Sequence, residues 1–332
     1  MNNNYPYKMI KLDIFDKRIL EVLINNSREQ VSTIAKKVRL GRENVNYRIN
    51  RLVKLGLIKD FNTIINEEKL ELSHHVVFLE LIKLEEKTEK EIIDYLKKNP
   101  FMSWIGTSAG KWSLVFDIIT QEKNSNLKQI LRNFLEKFQT FIENYEILKL
   151  SESDYFVSKL IGESTTQINN LKNKNKTKLD ENDLKILASL NNNSRKTLVD
   201  ISQKIKLTPN GVNNRIKSLI KNNIICGFTV SLDWKKLDYE LFTIQIKLHK
   251  YSEKINKQIR RFFTNHDKII FYYKYTEGSW DYDIGILVKN SNELRNFINE
   301  YRKYFSEVSK ISDVFLVLEE TTSHKMPAGI FN

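Results

Sequence analysis

Apolar positions along the chain follow a helical rhythm and then a strand rhythm, and that succession occurs twice. After Asp13, residues Phe15, Ile19, Leu20 and Leu23 share one helical face. After Asp180, Leu184, Ile186, Leu187 and Leu190 do the same. Both aspartates suit the N-cap, where a carboxylate accepts otherwise unpaired backbone N–H groups. A short second helix follows, with Val31, Ile34, Ala35 and Val38 as its stripe, matched by Leu198, Ile201 and Ile205. A third opens after Gly41 and, in the second copy, after Thr208-Pro209, where Thr at N-cap and Pro at the first helical position are favoured.

The period then changes. His75–Lys83 and Leu241–Lys250 read as strands, Glu89–Lys98 and Glu253–Asn265 as helices, and Phe101–Ser108 with Trp112–Thr120 as a hairpin whose counterpart is Ile269–Thr276 with Trp280–Val288. Helices at Ser125–Lys137 and Glu293–Tyr304 and strands at Tyr145–Leu150 and Ile311–Leu318 complete a βαββαβ order, twice. The expected fold is α+β: two winged helix-turn-helix domains and two ferredoxin-like βαββαβ domains in tandem, each with an antiparallel sheet and helices on one face.

A shift of 167 positions aligns Leu12–Phe61 with Leu179–Phe228 without a gap, and 21 of the 50 pairs are identical. Asn25-Asn26-Ser27-Arg28 recurs as Asn192-Asn193-Ser194-Arg195. Further on the register slips by one, so that Gly110-Lys111-Trp112 matches Gly278-Ser279-Trp280. Residues 161–178, rich in Asn and Lys, offer almost nothing to a core and read as a linker. Its eighteen residues reach up to about 60 Å when extended, more than the roughly 34 Å between successive major-groove faces. The domain boundaries are therefore 8–65 and 179–232 for the helix-turn-helix units, and 66–160 and 233–322 for the βαββαβ units.

Charge sharpens this division. The net formal charge is +13, but it is concentrated. Residues 8–60 hold thirteen Lys and Arg against six Asp and Glu, and residues 172–227 hold twelve against four, whereas residues 61–160 are net acidic. A polyanionic partner is expected at the two helical segments. The single cysteine, Cys226, excludes an intrachain disulfide and a thiolate metal cluster and fits a reducing compartment. With no basic-then-apolar leader and no run of 18 apolar residues, a cytoplasmic location and no membrane partner are expected.

In the third helix, Val45, Ile49 and Leu52 form the buried stripe. The outward face is then Glu43, Tyr47, Asn50 and Lys54, flanked by Asn46 and Arg51, with Arg42 at the start. In the second copy Val212, Ile216 and Leu219 are buried, leaving Asn210, Asn214, Lys217 and Lys221 outward with Asn213 and Ser218 beside them. Asn can bond an adenine edge bidentately, Arg and Lys can meet guanine or phosphate, and a helix fits the major groove. A charged helical face is ordinarily only solvated surface. The three-helix context, the local charge and the duplication favour contact with double-stranded DNA. Arg48 and Arg215 stand at the edge of the buried stripe and suit either phosphate clamping or packing. Removing Asn50 or Arg51 is expected to weaken DNA binding and leave the fold intact.

Leu12-Asp13-x-x-Asp16-x-x-Ile19-Leu20, Asn26-Ser27-Arg28, Ile34-Ala35-x-x-Val38-x-Leu40, Val45-x-x-Arg48-Ile49-x-Arg51-Leu52 and Leu55-Gly56-Leu57-Ile58 resemble the leucine-responsive regulator/AsnC (Lrp/AsnC) family of prokaryotic transcription factors. The resemblance spans nearly the whole chain, twice. It implies a winged helix-turn-helix followed by a βαββαβ effector domain that self-associates through its sheet and often senses amino acids. Members usually carry one such unit, so the tandem chain resembles a covalently linked pseudo-dimer. The unlike helix starts, Arg42-Glu43-Asn44 and Pro209-Asn210-Gly211, point to an asymmetric operator. The family's Gly-x-Tyr/Trp-Asp effector motif is matched by Gly278, Trp280 and Asp281, whereas Ser113 replaces the acid in the first copy. The resemblance thus implies an amino-acid effector met by Asp281 and walled by Trp280. Set against this, a turn glycine followed by a core tryptophan is an ordinary hairpin feature.

No catalytic or metal-binding residue is expected. Gly106-Thr107-Ser108-Ala109-Gly110 has the spacing of a nucleophile elbow, but a strand follows where a helix is required. His74 and His75 point to opposite faces of a strand and cannot chelate one metal. No phosphate-cradling glycine loop is present, and no cofactor is expected. Two alternatives use the same architecture: a non-specific architectural DNA-binding protein, and a siroheme decarboxylase-like enzyme, to which the regulator family is similar. The His-Asn-Tyr-type stretch associated with that enzyme is replaced here by Phe271-Tyr272-Tyr273-Lys274 and Trp104-Ile105-Gly106.

Overall fold

Both leading helices begin on the expected caps. The structure is a computed structural model that describes residues 9–82, 85–123, 126–156, 161, 178–276, 278–322 and 325–331. The linker expected over 161–178 lies outside them apart from Ile161 and Lys178, as do residues 157–160 and the expected boundary residues Lys8, Lys83 and Ser125. Asp13 opens α1 (Ile14–Asn25) with a capping box shared with Asp16, and Asp180 opens α6 (Glu181–Asn192) with the same box through Asp183. Each is followed by a short helix and a recognition helix: α2 (Val31–Val38) and α3 (Arg42–Lys54), then α7 (Leu198–Ile205) and α8 (Pro209–Lys221). Thr208 caps α8, accepting from Gly211 N at 3.1 Å, with Pro209 at its first position.

The wing is shared between the two copies. Each copy supplies only one strand, β1 (Ile58–Ile65) or β6 (Ile225–Leu232), and these pair antiparallel with each other. The physical reason is that neither strand has a partner in its own copy, whereas the duplicated sequence places its equivalent opposite it. Val230 and Leu232 of β6 enter the core of the first helical unit, and Ile65 of β1 enters that of the second.

The two βαββαβ units follow as β2 (Leu72–Leu81), α4 (Glu86–Lys97), β3 (Met102–Ala109), β4 (Leu114–Gln121), α5 (Leu127–Phe138) and β5 (Ile142–Tyr155), then β7 (Glu240–Leu248), α9 (Glu253–Asn265), β8 (Ile269–Tyr275), β9 (Tyr282–Val288), α10 (Ser291–Phe305) and β10 (Ser309–Glu320). Within each unit the strand order is ferredoxin-like, β3-β4-β2-β5 and β8-β9-β7-β10. The units are not separate sheets, however: β5 pairs with β8 and β10 with β3, closing an eight-stranded barrel. All four sheet edges are therefore satisfied within one chain. β5 and β10 outrun their expected lengths because each pairs with its own sheet along one stretch and with the other unit beyond it.

Side chains alternate across this wall. Val77 and Leu79 face α4 and α5, whereas Val76 and Phe78 face the barrel interior. Trp112 and Trp280, equivalent in the two copies, meet there with ring centroids 5.8 Å apart, and Phe78 meets Trp280 edge-on at 4.9 Å. Gly110 and Gly278 adopt φ of +142° and +135°, and a Cβ on Gly110 would stand 2.8 Å from Phe315 Cβ. The paired Gly-x-Trp motifs thus let strands of opposite units approach and fill the barrel between them.

Candidate nucleic-acid interface and a chamber beneath the wing

Val45, Ile49 and Leu52 are buried, as are Val212, Ile216 and Leu219, so the recognition helices sit in the expected orientation. Arg42, Glu43, Asn46, Tyr47, Asn50 and Lys54 are exposed on α3, Tyr47 to 68%. On α8, Asn210, Asn214, Lys217 and Lys221 are exposed and Asn213 is half-buried.

Arg48 and Arg215 are engaged within their own units. Arg48 Nη1 lies 2.7 Å from Asp13 Oδ2 and 2.8 Å from Asp16 Oδ1, and Arg215 Nη1 repeats both distances to Asp180 and Asp183. These arginines bind the recognition helix to the cap of the first helix, which is the packing role. Arg51 is also drawn inward: its Nη2 donates to Asp16 Oδ2 at 2.6 Å. Replacing Arg51 is therefore expected to cost some stability besides any DNA contact, because its acceptor Asp16 is only 1% exposed. Asn50 carries no such obligation.

The repeated Asn-Ser-Arg tripeptides hold the two units together. Ser27 Oγ and Ser194 Oγ are buried and 2.6 Å apart. Arg28 donates to the backbone oxygens of Ser194 and Lys196, and Arg195 donates to those of Ser27 and Glu29. Each guanidinium also lies over the other copy's phenylalanine, Arg28 over Phe228 and Arg195 over Phe61, both at 5.5 Å. In the sequence these residues serve as repeat landmarks and as part of the family resemblance, not as a contact between the copies. Their identity in both copies was the available signal, since a two-fold contact needs the same groups from both sides.

Trp280 and Asp281 of the Gly278-Ser279-Trp280-Asp281 motif are engaged by other groups of the chain. Trp280 is 4% exposed inside the barrel. Asp281 Oδ2 accepts from Leu248 N at 2.7 Å, and its Oδ1 accepts from Tyr251 Oη at 3.1 Å. Ser108 Oγ donates to Trp112 O at 2.7 Å between two strands, which leaves no elbow geometry.

A chamber of about 490 Å³ lies between the β1–β6 ribbon and one end of the barrel. Trp104, Phe271, Tyr273 and Phe315 contribute aromatic wall, and Asn62, Thr229 and Ser231 line it from the ribbon. Two ion pairs, Lys59 with Glu320 at 3.3 Å and Lys325 with Asp60 at 2.5 Å, stand at its partly exposed rim. Inside are Glu67, His74, Asp117 and Asp283. His74 Nδ1 is 3.1 Å from Glu67 Oε2, and its Nε2 is 3.3 Å from Asp117 Oδ2. Burial opposes the imidazolium charge, but the two carboxylates outweigh it and raise the His74 pKa to about 10. Asp283 Oδ2 accepts from Tyr275 Oη at 2.7 Å, yet burial pushes its carboxyl up to about 8. Tyr155 and Tyr273 join hydroxyls at 2.5 Å, and burial raises both phenols. His74, Trp104, Phe271 and Tyr273 are noticeable singly in the sequence, but nothing there joins them to Glu67, Asp117, Tyr155 and Asp283, because strands far apart in the chain bring them together.

A family profile for winged helix-turn-helix DNA-binding domains matches residues 12–59 and 179–225. An HTH-type transcriptional regulator of Pyrococcus horikoshii is 33% identical over 131 residues, covering 39% of this chain and 83% of the relative. The HTH-type transcriptional regulator FL11 of Pyrococcus furiosus is 32% identical over 125 residues, covering 38% and 78%. The chain belongs to the Lrp/AsnC family of HTH-type regulators, in duplicated form. Among solved structures, that of the siroheme decarboxylase NirDL is similar at a TM-score of 0.65, covering 95% of this chain and 94% of that one at 13% identity. That is a likeness of fold across the whole tandem arrangement. No helix among the described residues is long and apolar enough to cross a membrane.

Proposed function

We propose that this chain is a sequence-reading DNA-binding transcriptional regulator in which one polypeptide supplies both recognition helices of a pseudo-dimer, modulated by a small effector. The observation that carries the reading is the locked pair of helix-turn-helix units. The shared ribbon and the Ser27–Ser194 contact fix the two units to each other, and each turns a polar face outward. The faces differ, Asn50 and Lys54 against Asn214, Lys217 and Lys221, so an asymmetric site is expected.

The decarboxylase-like alternative meets a charge problem. Glu67 and Asp117 flank the chamber's histidine, and the carboxyl of Asp283 adds no positive charge, an arrangement that offers a polycarboxylate no net attraction. Selection from a pool of random duplexes at two salt concentrations tests the proposal. A motif retained at higher salt supports it, and salt-sensitive retention without a motif supports the architectural role. Asn50→Ala is expected to cost about 1–3 kcal/mol on the selected site while leaving binding to random DNA and the thermal melt unchanged. Equal affinity for the selected site would remove Asn50 from the reading face.

A further inference from the structure

We propose that the chamber between the wing ribbon and the barrel is a binding site for an organic ammonium compound with an aromatic body, its charged head drawn to Asp117 and Asp283. Both carboxylates are essentially buried, at 1% and 2% exposure, and both line the cavity. Among the described residues neither oxygen of Asp117 accepts a well-aligned hydrogen bond, His74 Nε2 being its only ion-pair partner, and Asp283 Oδ1 accepts none either, although the Trp280 indole stands near that carboxyl. An unsatisfied buried carboxylate oxygen costs free energy that a donor arriving with a ligand recovers. An ammonium supplies such donors together with the compensating charge.

The rest of the chamber selects the body. Its volume suits a small organic molecule, and Trp104, Phe271 and Tyr273 present ring surface to an apolar or cationic group. The two rim lysines are already paired with carboxylates, so they do not offset the acidic interior. Burial keeps a proton on Asp283 at neutral pH, and a cation placed beside it favours ionisation, so binding is coupled to proton release. The ligand would also touch Asn62 and Thr229 on the ribbon that joins the two recognition helices, which names the class of effector for the regulator reading. Only that last consequence rests on the DNA reading.

The test is calorimetric titration of the intact chain, without DNA, with 2-phenylethylammonium and the larger 2-(1-naphthyl)ethylammonium. The uncharged isostere propylbenzene and the anion 3-phenylpropionate are the comparisons. At least one amine is expected to bind saturably, roughly tenfold or more tighter than either comparison. Its heat should depend on the buffer's ionisation enthalpy in the sense of a released proton. Asp283→Asn is expected to weaken that binding about tenfold and abolish the proton release. Saturable binding by neither amine, equal binding of the charged and uncharged probes, or an Asp283→Asn protein that binds as before would overturn the proposal. Because no DNA is present, a protein that selects a DNA motif but binds no amine separates failure here from failure of the regulator reading. The comparison of probes on the unaltered chain needs no variant to fold.

Discussion

Asp16→Ala is expected to destabilise the first helical unit by about 3 kcal/mol, while Asp183→Ala, at the equivalent place in the second, costs only about 1 kcal/mol. The difference follows from burial and partners. Asp16 is 1% exposed and takes both Arg48 Nη1 and Arg51 Nη2, besides accepting from Asp13 N to complete the α1 capping box. Its removal leaves two guanidinium groups of α3 without their shared acceptor and opens the cap. Asp183 has a side chain 17% exposed and binds Arg215 alone of the arginines, because Ser218 stands where Arg51 stands in the first copy. Urea denaturation of both variants compares them within one molecule. Equal losses would mean that the second arginine contributes nothing to the anchoring of α3.

This asymmetry also shows what the residues alone disclose. Val45, Ile49 and Leu52 were assignable to the core because a helix repeats its face locally, and Asp13, Asp180 and Thr208 because a cap acts within three residues. The exposed faces of α3 and α8 follow directly from those stripes. Arg48 and Arg51 were not assignable, because their acceptor lies more than thirty residues earlier and period says nothing of partners. The shared wing and the barrel were hidden for a related reason. A strand's pattern records that two faces are covered, not which edge lies beside it. The excess length of β5 and β10 is the only trace of closure, and it falls in stretches such as Ser153–Tyr155 that pair with β8 far along the chain. His74 was legible as one of two adjacent histidines on opposite faces. Its carboxylate neighbours come from Glu67, just before β2, and from β4, and only folding assembles them.

Raising the pH from 6.5 to 10 is expected to remove a few kcal/mol of stability, and His74 is the group expected to carry most of it. Its folded pKa, about 10, lies above the ordinary 6.5, so between those values the folded chain holds a proton that the unfolded chain has released. The stabilisation is fully present below pH 6.5 and is lost as the pH rises through 10. Asp283, raised from 3.8 to about 8, works in the same direction over a lower window, since the folded chain keeps its proton after the unfolded chain has lost it. Denaturant melts at pH 6, 8 and 10 should therefore show a continuous decline. His74→Gln should flatten the part between 8 and 10, where Asp283 no longer contributes and the other titrating groups are common to both proteins. An equally steep decline in the variant would show that Glu67 and Asp117 do not hold the imidazolium as the geometry indicates. With His74 charged throughout the neutral range, the Asp283 carboxyl, pushed up to about 8, holds a proton there that a cationic ligand beside it would displace.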